Sequence, residues 1–325
     1  MEDVLERVLP GIGGMATVER LAGLSGSDFT SVMLEVARRR AARETPASVL
    51  RRYEQDRFVR PAEVSARAMR RAEDTLLGCL PDDVEVVLLA PLVPLGAHSA
   101  LAPVSQHKVV STVRACEVAA DPTNALALEA ASRRARARET AARLAPVRLA
   151  AVQRVVRAQR FPHEDGFFPH FGLFGLVTAG RDTGSLRFER SALAEQLRIA
   201  IRGVAAAGAP RAQIALTPLS DRGERIAEAV TADLGADSGA GPDPAAGAGA
   251  EGLAEIVTDR GRQAGRGYYR DLCFKVNACS GGEPREVGDG GFTDWTARLT
   301  ANHKERLLIS GLGTDRLAAI GVAGA

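Results

Sequence analysis

The segment ISGLGTDRL, at residues 309–317, combines two glycines with an arginine in a pattern that could bind phosphate. Gly311 and Gly313 carry no Cβ, so the backbone there can pass close to a ligand. Arg316 follows at the predicted start of a helix, and its planar guanidinium can make two-point contacts with phosphate oxygens. Neither a G-x-G-x-x-G after a first strand nor a G-x-x-x-x-G-K sequence is present, so a nucleotide site here would differ from the standard phosphate loops.

These residues need a strand, a glycine turn and a helix to position them, and the flanking sequence predicts such elements. Upstream, residues 147–159 and 170–178 are strand-like and flank a polar, glycine-containing loop at 160–168, which predicts an antiparallel hairpin. Other strands are expected at 84–96, where the run is apolar enough to be buried, within 107–120, at 214–220, 268–276, 285–292 and 306–313. Helices are expected near 28–40 and at 62–77, 124–144, 191–206, 221–234 and 315–320.

Adjacent strands with short connections favour an α+β fold, a mostly antiparallel sheet flanked by helices. Residues 1–60 are predicted to form an N-terminal helical appendage, and residues 61–325 a single core. An insertion at about 182–252 ends in a flexible, low-complexity linker, GADSGAGPDPAAGAGAEG.

Composition restricts the function classes. A net charge of +2 gives no global electrostatic argument for nucleic acid. The basic run RRARAR at 133–138 is flanked by Glu129 and Glu139, so a solvated helix face explains it better than nucleic-acid binding. The four cysteines form no C-x-x-C pair, which argues against zinc and fits a reducing cytoplasm. No apolar run is long enough for a signal core or a membrane span, so we expect a cytoplasmic protein.

Taken in order along residues 60–320, these segments resemble the catalytic core of class II aminoacyl-tRNA synthetases. ISGLGTDRL resembles the third signature motif, whose arginine contacts the γ-phosphate of ATP. RVVRAQ, the loop and PHFGLF resemble the second motif, whose arginine binds the α-phosphate and whose aromatic residue stacks on adenine. The resemblance implies that Arg157 and Arg316 are catalytic, and that ATP is bound by these two together with Gln159, His170, Phe171, Gly311 and Gly313.

Further segments resemble the histidyl type of this class: ADPTNALALE, RGYYRDLCFKV and DGGFTDW. The resemblance implies a substrate pocket of Thr123, Arg266, Tyr268, Tyr269, Gly290, Gly291 and Asp294, with Arg262 as an alternative to Arg266. The polar residues that read histidine in that family align with Leu173 and Leu176, and its amino-group glutamate aligns with Thr123, so a substrate other than histidine is expected. Glu286 or Asp289 would help to hold Mg²⁺.

The function that the resemblance implies is that of an ATP-dependent, adenylate-forming ligase. It would activate an amino acid or related carboxylic acid and transfer it to an acceptor other than canonical tRNA, since no anticodon-binding domain is expected after residue 320. A specialised biosynthetic pathway would suit such an enzyme. A homodimer is expected through the first motif, the helix from residue 61 and the strand ending near Pro91. The alternative is a non-catalytic regulatory or binding subunit, as in the ATP phosphoribosyltransferase of histidine biosynthesis.

Overall fold

A large sheet forms the centre of the molecule. The computed structural model describes residues 2–137, 145–159, 168–237, 253–280 and 283–323. The strands of these residues are β1 (Glu85–Val86), β2 (Leu92–Pro94), β3 (Cys116–Val118), β4 (Val147–Val156), β5 (His170–Arg181), β6 (Arg211–Pro218), β7 (Ala254–Thr258), β8 (Arg270–Cys279), β9 (Arg285–Thr293) and β10 (Glu305–Gly313). Eight of them form one sheet in the order β1-β4-β5-β10-β9-β8-β6-β7, and β2 pairs with β3 separately.

The sheet confirms the predicted α+β architecture with one refinement. Its central pairings, from β4 through β5, β10, β9 and β8 to β6, are all antiparallel. A parallel pairing lies at each edge, between β1 and β4 and between β6 and β7, so the sheet is mixed. The predicted antiparallel hairpin is present as β4 and β5, and its register sets Val156 opposite His170.

Side chains alternate between the two faces along each strand, and apolar side chains lie on both faces, so helices cover both. One face carries a core that includes Ala150, Phe174 and Leu308 and is covered by four helices. The opposite face carries Ala151 and Val177 and is covered mainly by one helix. The helices of the core are α5 (Ala66–Gly78), α6 (Ala97–Leu101), α7 (Pro122–Ala137), α8 (Arg187–Ala206), α9 (Asp221–Asp237), α10 (Trp295–Leu299) and α11 (Thr314–Ala323). Helix α7 covers the second face, while α5, α8, α9 and α11 cover the first.

The N-terminal region is helical, and its helices are α1 (Glu2–Val8), α2 (Met15–Ala22), α3 (Gly26–Ala41) and α4 (Pro46–Gln55). None of residues 4–60 is buried. Hydrogen bonds attach the end of this region to the β4–β5 hairpin: Arg57 donates to Gln159 O at 2.8 Å, and His170 Nε2 donates to Arg60 O at 2.6 Å. Whether residues 1–60 form a separate unit stays a prediction. None of the helices in the described ranges has the length and hydropathy that crossing a bilayer requires.

Several predicted elements differ from the structure. The apolar run at 84–96 is not a buried strand: only Glu85–Val86 and Leu92–Pro94 are paired, and Leu88 is 99% exposed. Helix α5 begins at Ala66, because Ser65 caps it by accepting from Ala68 N, rather than at residue 62. Strand β7 and helix α10 were not predicted. Residues 160–167 of the predicted loop, 138–144 of the predicted helix and 238–252 of the predicted linker lie outside the described residues.

Candidate functional site

A cavity of about 170 Å³ lies where β5, β9 and β10 meet the segment leading into α7. It brings together residues that are far apart in the sequence, Arg157 and Arg316 among them. Its lining includes these predicted site residues: Thr123, Arg157, Phe171, Tyr268, Tyr269, Glu286, Asp289, Gly311, Gly313 and Arg316. Tyr269 and Ile309 of the lining belong to the core on the face of the sheet that carries α7, so the cavity lies on that face.

Arg157 enters the cavity from the end of β4. The hairpin register sets Val155 opposite Phe171, and Arg157 N donates to Pro169 O at 2.7 Å. The guanidinium lies 5.0 Å from the centroid of the Phe171 ring, within the range of a cation–π contact. Its Nε donates to Ala120 O at 2.9 Å, and its Nη2 lies 3.3 Å from Asp121 Oδ2. The hairpin and the segment before α7 together position this arginine.

Arg316 enters the cavity from the junction of β10 and α11. The strand ends at Gly313 and the helix begins at Thr314, so Arg316 lies in the first helical turn, as predicted. Its Nη1 donates to Glu286 O on β9 at 2.7 Å, and 42% of its side chain remains exposed. Asp315 is fixed beside it, where its carboxylate accepts from Gly172 N on β5. The junction therefore directs one guanidinium into the same cavity as Arg157.

Gly311 forms part of the cavity lining on β10, between Gly175 on β5 and Asp289 on β9. A Cβ added at Gly311 would meet only Phe174 O, at 3.7 Å, which is an ordinary contact. Protein packing therefore does not require glycine at this position. The missing side chain leaves space in the cavity, which suits close approach of a ligand.

Gly290 and Gly291 have a different role. A Cβ on Gly290 would lie 2.5 Å from Ile309 O, and one on Gly291 would lie 2.6 Å from the Tyr269 ring. Both contacts are too short to be tolerated, so these glycines allow β9 to pack against its neighbours. Neither lines the cavity in the described structure.

One end of the cavity combines a carboxylate with an arginine and a phenol. Asp289 Oδ2 accepts from Arg262 Nη2 at 3.0 Å and from the Tyr269 hydroxyl at 3.1 Å. Arg262 is almost fully buried, and it also donates to Ala264 O and Phe274 O. Although 45% of the Asp289 side chain is accessible from the cavity, burial by the surrounding walls raises its pKa, and Arg262 opposes this shift. Asp289 is therefore harder to ionise than a free carboxyl group, and the hydrogen bonds from Arg262 and Tyr269 favour its charged form.

Tyr268 and Thr123 form the wall beside it. Burial raises the pKa of the Tyr268 phenol well above its usual value, and the negative charges of Asp121 and Asp289 add to the shift. The phenol is therefore neutral and can donate a hydrogen bond. Thr123 donates its hydroxyl to Asp121 Oδ1 at 2.7 Å, which fixes the carboxylate that faces Arg157. This end of the cavity presents hydrogen-bonding groups together with aromatic surface.

The other predicted site residues lie outside the cavity lining. Gln159 accepts from Arg57 through its backbone oxygen. His170 is held between Arg154 Nε, at 2.9 Å from its Nδ1, and Arg60 O. Arg266 donates to the backbone oxygens of Arg262 and Arg260.

Asp294 also lies away from the cavity and pairs with Arg270 at 3.1 Å and Arg298 at 3.5 Å. Leu173 lines the cavity, whereas Leu176 faces the opposite core and is 1% exposed. Only the first of these two leucines can influence a ligand directly.

Two residues of the cavity lining, Asp121 and Asp315, were not predicted, and Arg262 beside the cavity was predicted only as an alternative to Arg266. Asp121 immediately precedes Pro122, which starts α7, and it accepts from Thr123 N; the preference for aspartate before a helix could have identified it. Arg262 was recognised as an alternative to Arg266, and it is the one that contacts a cavity carboxylate. Asp315 lies within the glycine-rich segment itself, where only the three-dimensional contact with Gly172 indicates its role.

The carboxylates of the cavity could hold Mg²⁺ only together with phosphate oxygens from a bound nucleotide. Among the described residues, no group of three or more potential metal ligands is found. Glu286 and Asp289 both line the cavity, but Glu286 pairs with Lys275 at 2.8 Å and Asp289 with Arg262. Magnesium usually takes one or two carboxylates together with substrate phosphates, so these residues fit the ion only in that combination.

The basic run at 133–138 is partly used within the fold. Arg133 pairs with Glu129 at 2.7 Å and also with Glu85. Arg134 is 2% exposed and forms a two-point ion pair with the buried Glu305, at 2.9 and 3.2 Å. Arg138 lies outside the described residues. Arg134 therefore forms a buried ion pair, whereas the pairs of Arg133 lie at the surface.

Solved structures with little sequence similarity share this fold. The histidine–tRNA ligase subunit of Alicyclobacillus acidocaldarius matches with a TM-score of 0.56 and 16% identity, over 81% of this chain and 97% of that one. The histidyl-tRNA synthetase of S. aureus matches with a TM-score of 0.54 and 14% identity, over 79% of this chain but 65% of that one. The ATP phosphoribosyltransferase regulatory subunit/histidyl-tRNA synthetase of Bacillus halodurans matches with a TM-score of 0.52 and 12% identity, over 81% and 83%.

No protein-family model and no curated protein sequence matches the chain. The fold is nevertheless defined by the structural neighbours: it is the core fold of a class II aminoacyl-tRNA synthetase. The three neighbours described above carry histidyl-tRNA synthetase or histidine–tRNA ligase in their names, and one is also named as a regulatory subunit. At these identities the likeness establishes the fold, and the activity has to be argued from the cavity.

Proposed function

We propose that the protein is an ATP-dependent ligase that activates an amino acid or related carboxylic acid as an acyl-adenylate. The observation that carries the proposal is the convergence of Arg157 and Arg316, from distant segments, on one cavity beside Gly311. Two guanidinium groups beside an open stretch of backbone suit a triphosphate, because each fork matches phosphate oxygens in two-point contacts.

The reaction places specific demands on these residues. A substrate carboxylate oxygen attacks the α-phosphorus, the bond from that phosphorus to the α–β bridging oxygen breaks, and pyrophosphate leaves. Negative charge grows on the oxygens around the α-phosphorus and on the leaving group. Arg157 stabilises the first charge and Arg316 the second, which is electrostatic catalysis by prepositioned groups. Bound Mg²⁺ would neutralise part of the polyphosphate charge, held by Glu286 or Asp289 and phosphate oxygens.

Phe171 supplies a flat apolar surface for the adenine. Its ring already contacts the Arg157 guanidinium at 5.0 Å, so a base stacked there would lie next to the α-phosphate site. The acid would occupy the end of the cavity formed by Thr123, Tyr268 and Asp289. That end offers the hydroxyls and the carboxylate needed to bind a polar substituent such as an amino group.

The test is ATP–pyrophosphate exchange with Mg²⁺ across a broad panel of amino and carboxylic acids. Exchange should depend on one acid or a small related set, and Arg157→Ala or Arg316→Ala should lower it by about 10²–10³-fold. Arg270→Ala is the matched control, because Arg270 is exposed and pairs with Asp294 outside the cavity. Absence of exchange with every acid, for folded protein, would refute the proposal.

A second candidate is a non-catalytic regulatory or binding subunit. It is favoured by the ion pair between Arg157 and Asp121, because a carboxylate beside the guanidinium competes with phosphate. The similarity in fold to a protein named as a regulatory subunit agrees with this alternative. Calorimetry separates the two candidates: a ligase must bind ATP, whereas a regulator of this kind has no need to.

A further inference from the structure

A buried histidine–glutamate pair lies behind the cavity and contributes no atom to its lining. His98 and Glu117 are 1% and 0% exposed. Glu117 Oε1 accepts from His98 Nδ1 at 2.6 Å and from His98 N at 3.0 Å. Its Oε2 accepts from Gln106 Nε2 at 2.7 Å and from Gly96 N at 3.2 Å. Burial raises the pKa of Glu117, but these donated hydrogen bonds outweigh it and the pKa is lowered, so the group is a carboxylate.

The other ring nitrogen of His98 determines its tautomer. Nε2 lies 2.9 Å from Ala120 N, which can only donate, so Nε2 must be the acceptor. The ring proton therefore resides on Nδ1 and is donated to Glu117. A neutral histidine in this one tautomer links the carboxylate to the backbone of Ala120.

Ala120 leads directly to the candidate catalytic arginine. Its carbonyl oxygen accepts from Arg157 Nε at 2.9 Å, and the next residue, Asp121, contacts Arg157 Nη2. The preceding residue, Ala119, is tied to β4, because its oxygen accepts from Val156 N at 3.0 Å. Residues 119–121 thus hydrogen-bond to the Arg157 guanidinium and to the end of β4, and His98 fixes this segment by accepting from Ala120 N.

We infer that His98 is a positioning residue for Arg157, and that it acts by accepting the hydrogen bond from Ala120 N. That His98 thereby affects phosphate binding rests on the proposed function, whereas the chain of hydrogen bonds from His98 through Ala120 to Arg157 does not depend on it. A histidine serves here because one nitrogen must accept from the backbone while the other donates to Glu117. A hydrophobic residue of the same size would fill the space and leave Ala120 N without a partner, at a cost to local order.

Two substitutions separate the acceptor from the bulk of the ring. In His98→Gln, the amide oxygen can reach the position of Nε2 and accept from Ala120 N. In His98→Asn, the shorter amide can donate to Glu117 but cannot reach Ala120. Because asparagine is also smaller than glutamine, His98→Leu is the control for packing: it fills the space without an acceptor, so a role in packing alone predicts wild-type behaviour for it, whereas the inference predicts the same change as in His98→Asn.

The first readout is the hydrogen-exchange rate of the Arg157 Nε–H, which needs no ligand. NMR of arginine-labelled protein measures this rate, and the signal is assigned by its absence in Arg157→Lys. Exchange should rise about tenfold in His98→Asn and stay within about twofold of wild type in His98→Gln. Unchanged exchange in His98→Asn, or equal increases in both variants, would overturn the inference.

The second readout is the dissociation constant for ATP with Mg²⁺. His98→Asn should weaken binding about tenfold in the wild-type background and leave it unchanged in Arg157→Ala, because the effect is transmitted through that arginine. An equal loss in both backgrounds would overturn the inference. If wild-type protein binds no ATP while the exchange pattern is as expected, the proposed function fails and the positioning role stands.

A measurement on wild-type protein covers the case in which His98→Asn does not fold. The ¹⁵N chemical shifts of His98 should report protonated Nδ1 and unprotonated Nε2. The opposite tautomer would overturn the inference, since a protonated Nε2 cannot accept from Ala120 N.

Discussion

Replacing Gly311 with alanine separates the needs of the fold from the needs of a ligand. The added methyl group would contact only Phe174 O, at 3.7 Å, so the fold accommodates it. Alanine also reduces the conformational freedom of the unfolded chain, and we expect the free energy of unfolding to stay within about 1 kcal/mol of wild type. The same methyl group would occupy space in the cavity that Arg157 and Arg316 also line.

The cost to binding follows from overpacking. Inserting a methyl group into a well-packed contact costs about 1–3 kcal/mol, which raises a dissociation constant by about 5–150-fold. Gly311→Ala should therefore weaken the binding of ATP with Mg²⁺ about tenfold or more while the protein remains as stable as wild type. Calorimetry measures the first quantity and urea unfolding the second.

Gly290→Ala is the matched control on the neighbouring strand. Its Cβ would lie 2.5 Å from Ile309 O and from the Phe274 ring, outside the cavity, so it should destabilise the fold by about 1–3 kcal/mol. Folded Gly290→Ala should keep the wild-type affinity for ATP. If Gly311→Ala folds normally and binds ATP as tightly as wild type, the argument that this glycine admits a ligand is refuted.

Three further predictions concern stability, assembly and pH. Arg134→Met leaves Glu305 buried without its partner and should cost about 3–5 kcal/mol in urea unfolding, whereas a cost under about 1 kcal/mol would contradict the role of this pair. Leu88 is 99% exposed in the apolar run at 84–96, so Leu88→Asp should convert the expected homodimer to monomers. Light scattering measures the molar mass in solution, and monomeric wild-type protein would refute the predicted dimer. The folded-state pKa of Glu117 is lowered, so its stabilising effect is complete above about pH 5 and is lost as the pH falls through that lowered pKa. The difference in unfolding free energy between wild type and Glu117→Gln should accordingly be larger at pH 7 than at pH 4, and a difference independent of pH would contradict this assignment.

The sequence was sufficient to predict the elements that carry the two arginines. Runs of β-branched and leucine residues bounded by glycine or a polar loop predicted β4, β5 and β10, and the glycine turn predicted the start of α11. The strand order of β4-β5-β10-β9 then brings Arg157 and Arg316 to one cavity. Local periodicity does not specify strand order, so predicting that the two arginines meet required a hypothesis about the whole fold.

Other features depend on contacts that local sequence does not specify. Gly290 and Gly311 look equivalent in the sequence. A Cβ on Gly290 would lie 2.5 Å from Ile309 O, whereas one on Gly311 would make only an ordinary contact with Phe174 O at 3.7 Å. Arg262 and Arg266 lie in an irregular loop, where no period indicates which side chain turns inward. The apolar run that includes Leu88 predicted a buried strand, yet most of it pairs with no neighbouring strand of the described structure.

The most direct test of the proposed function is a crystal structure of the protein with ATP and Mg²⁺. It should show the α-phosphate within hydrogen-bond distance of Arg157 and the γ-phosphate within hydrogen-bond distance of Arg316, with the adenine stacked on Phe171. A triphosphate bound away from both arginines, in crystals where the cavity is accessible, would contradict the proposal.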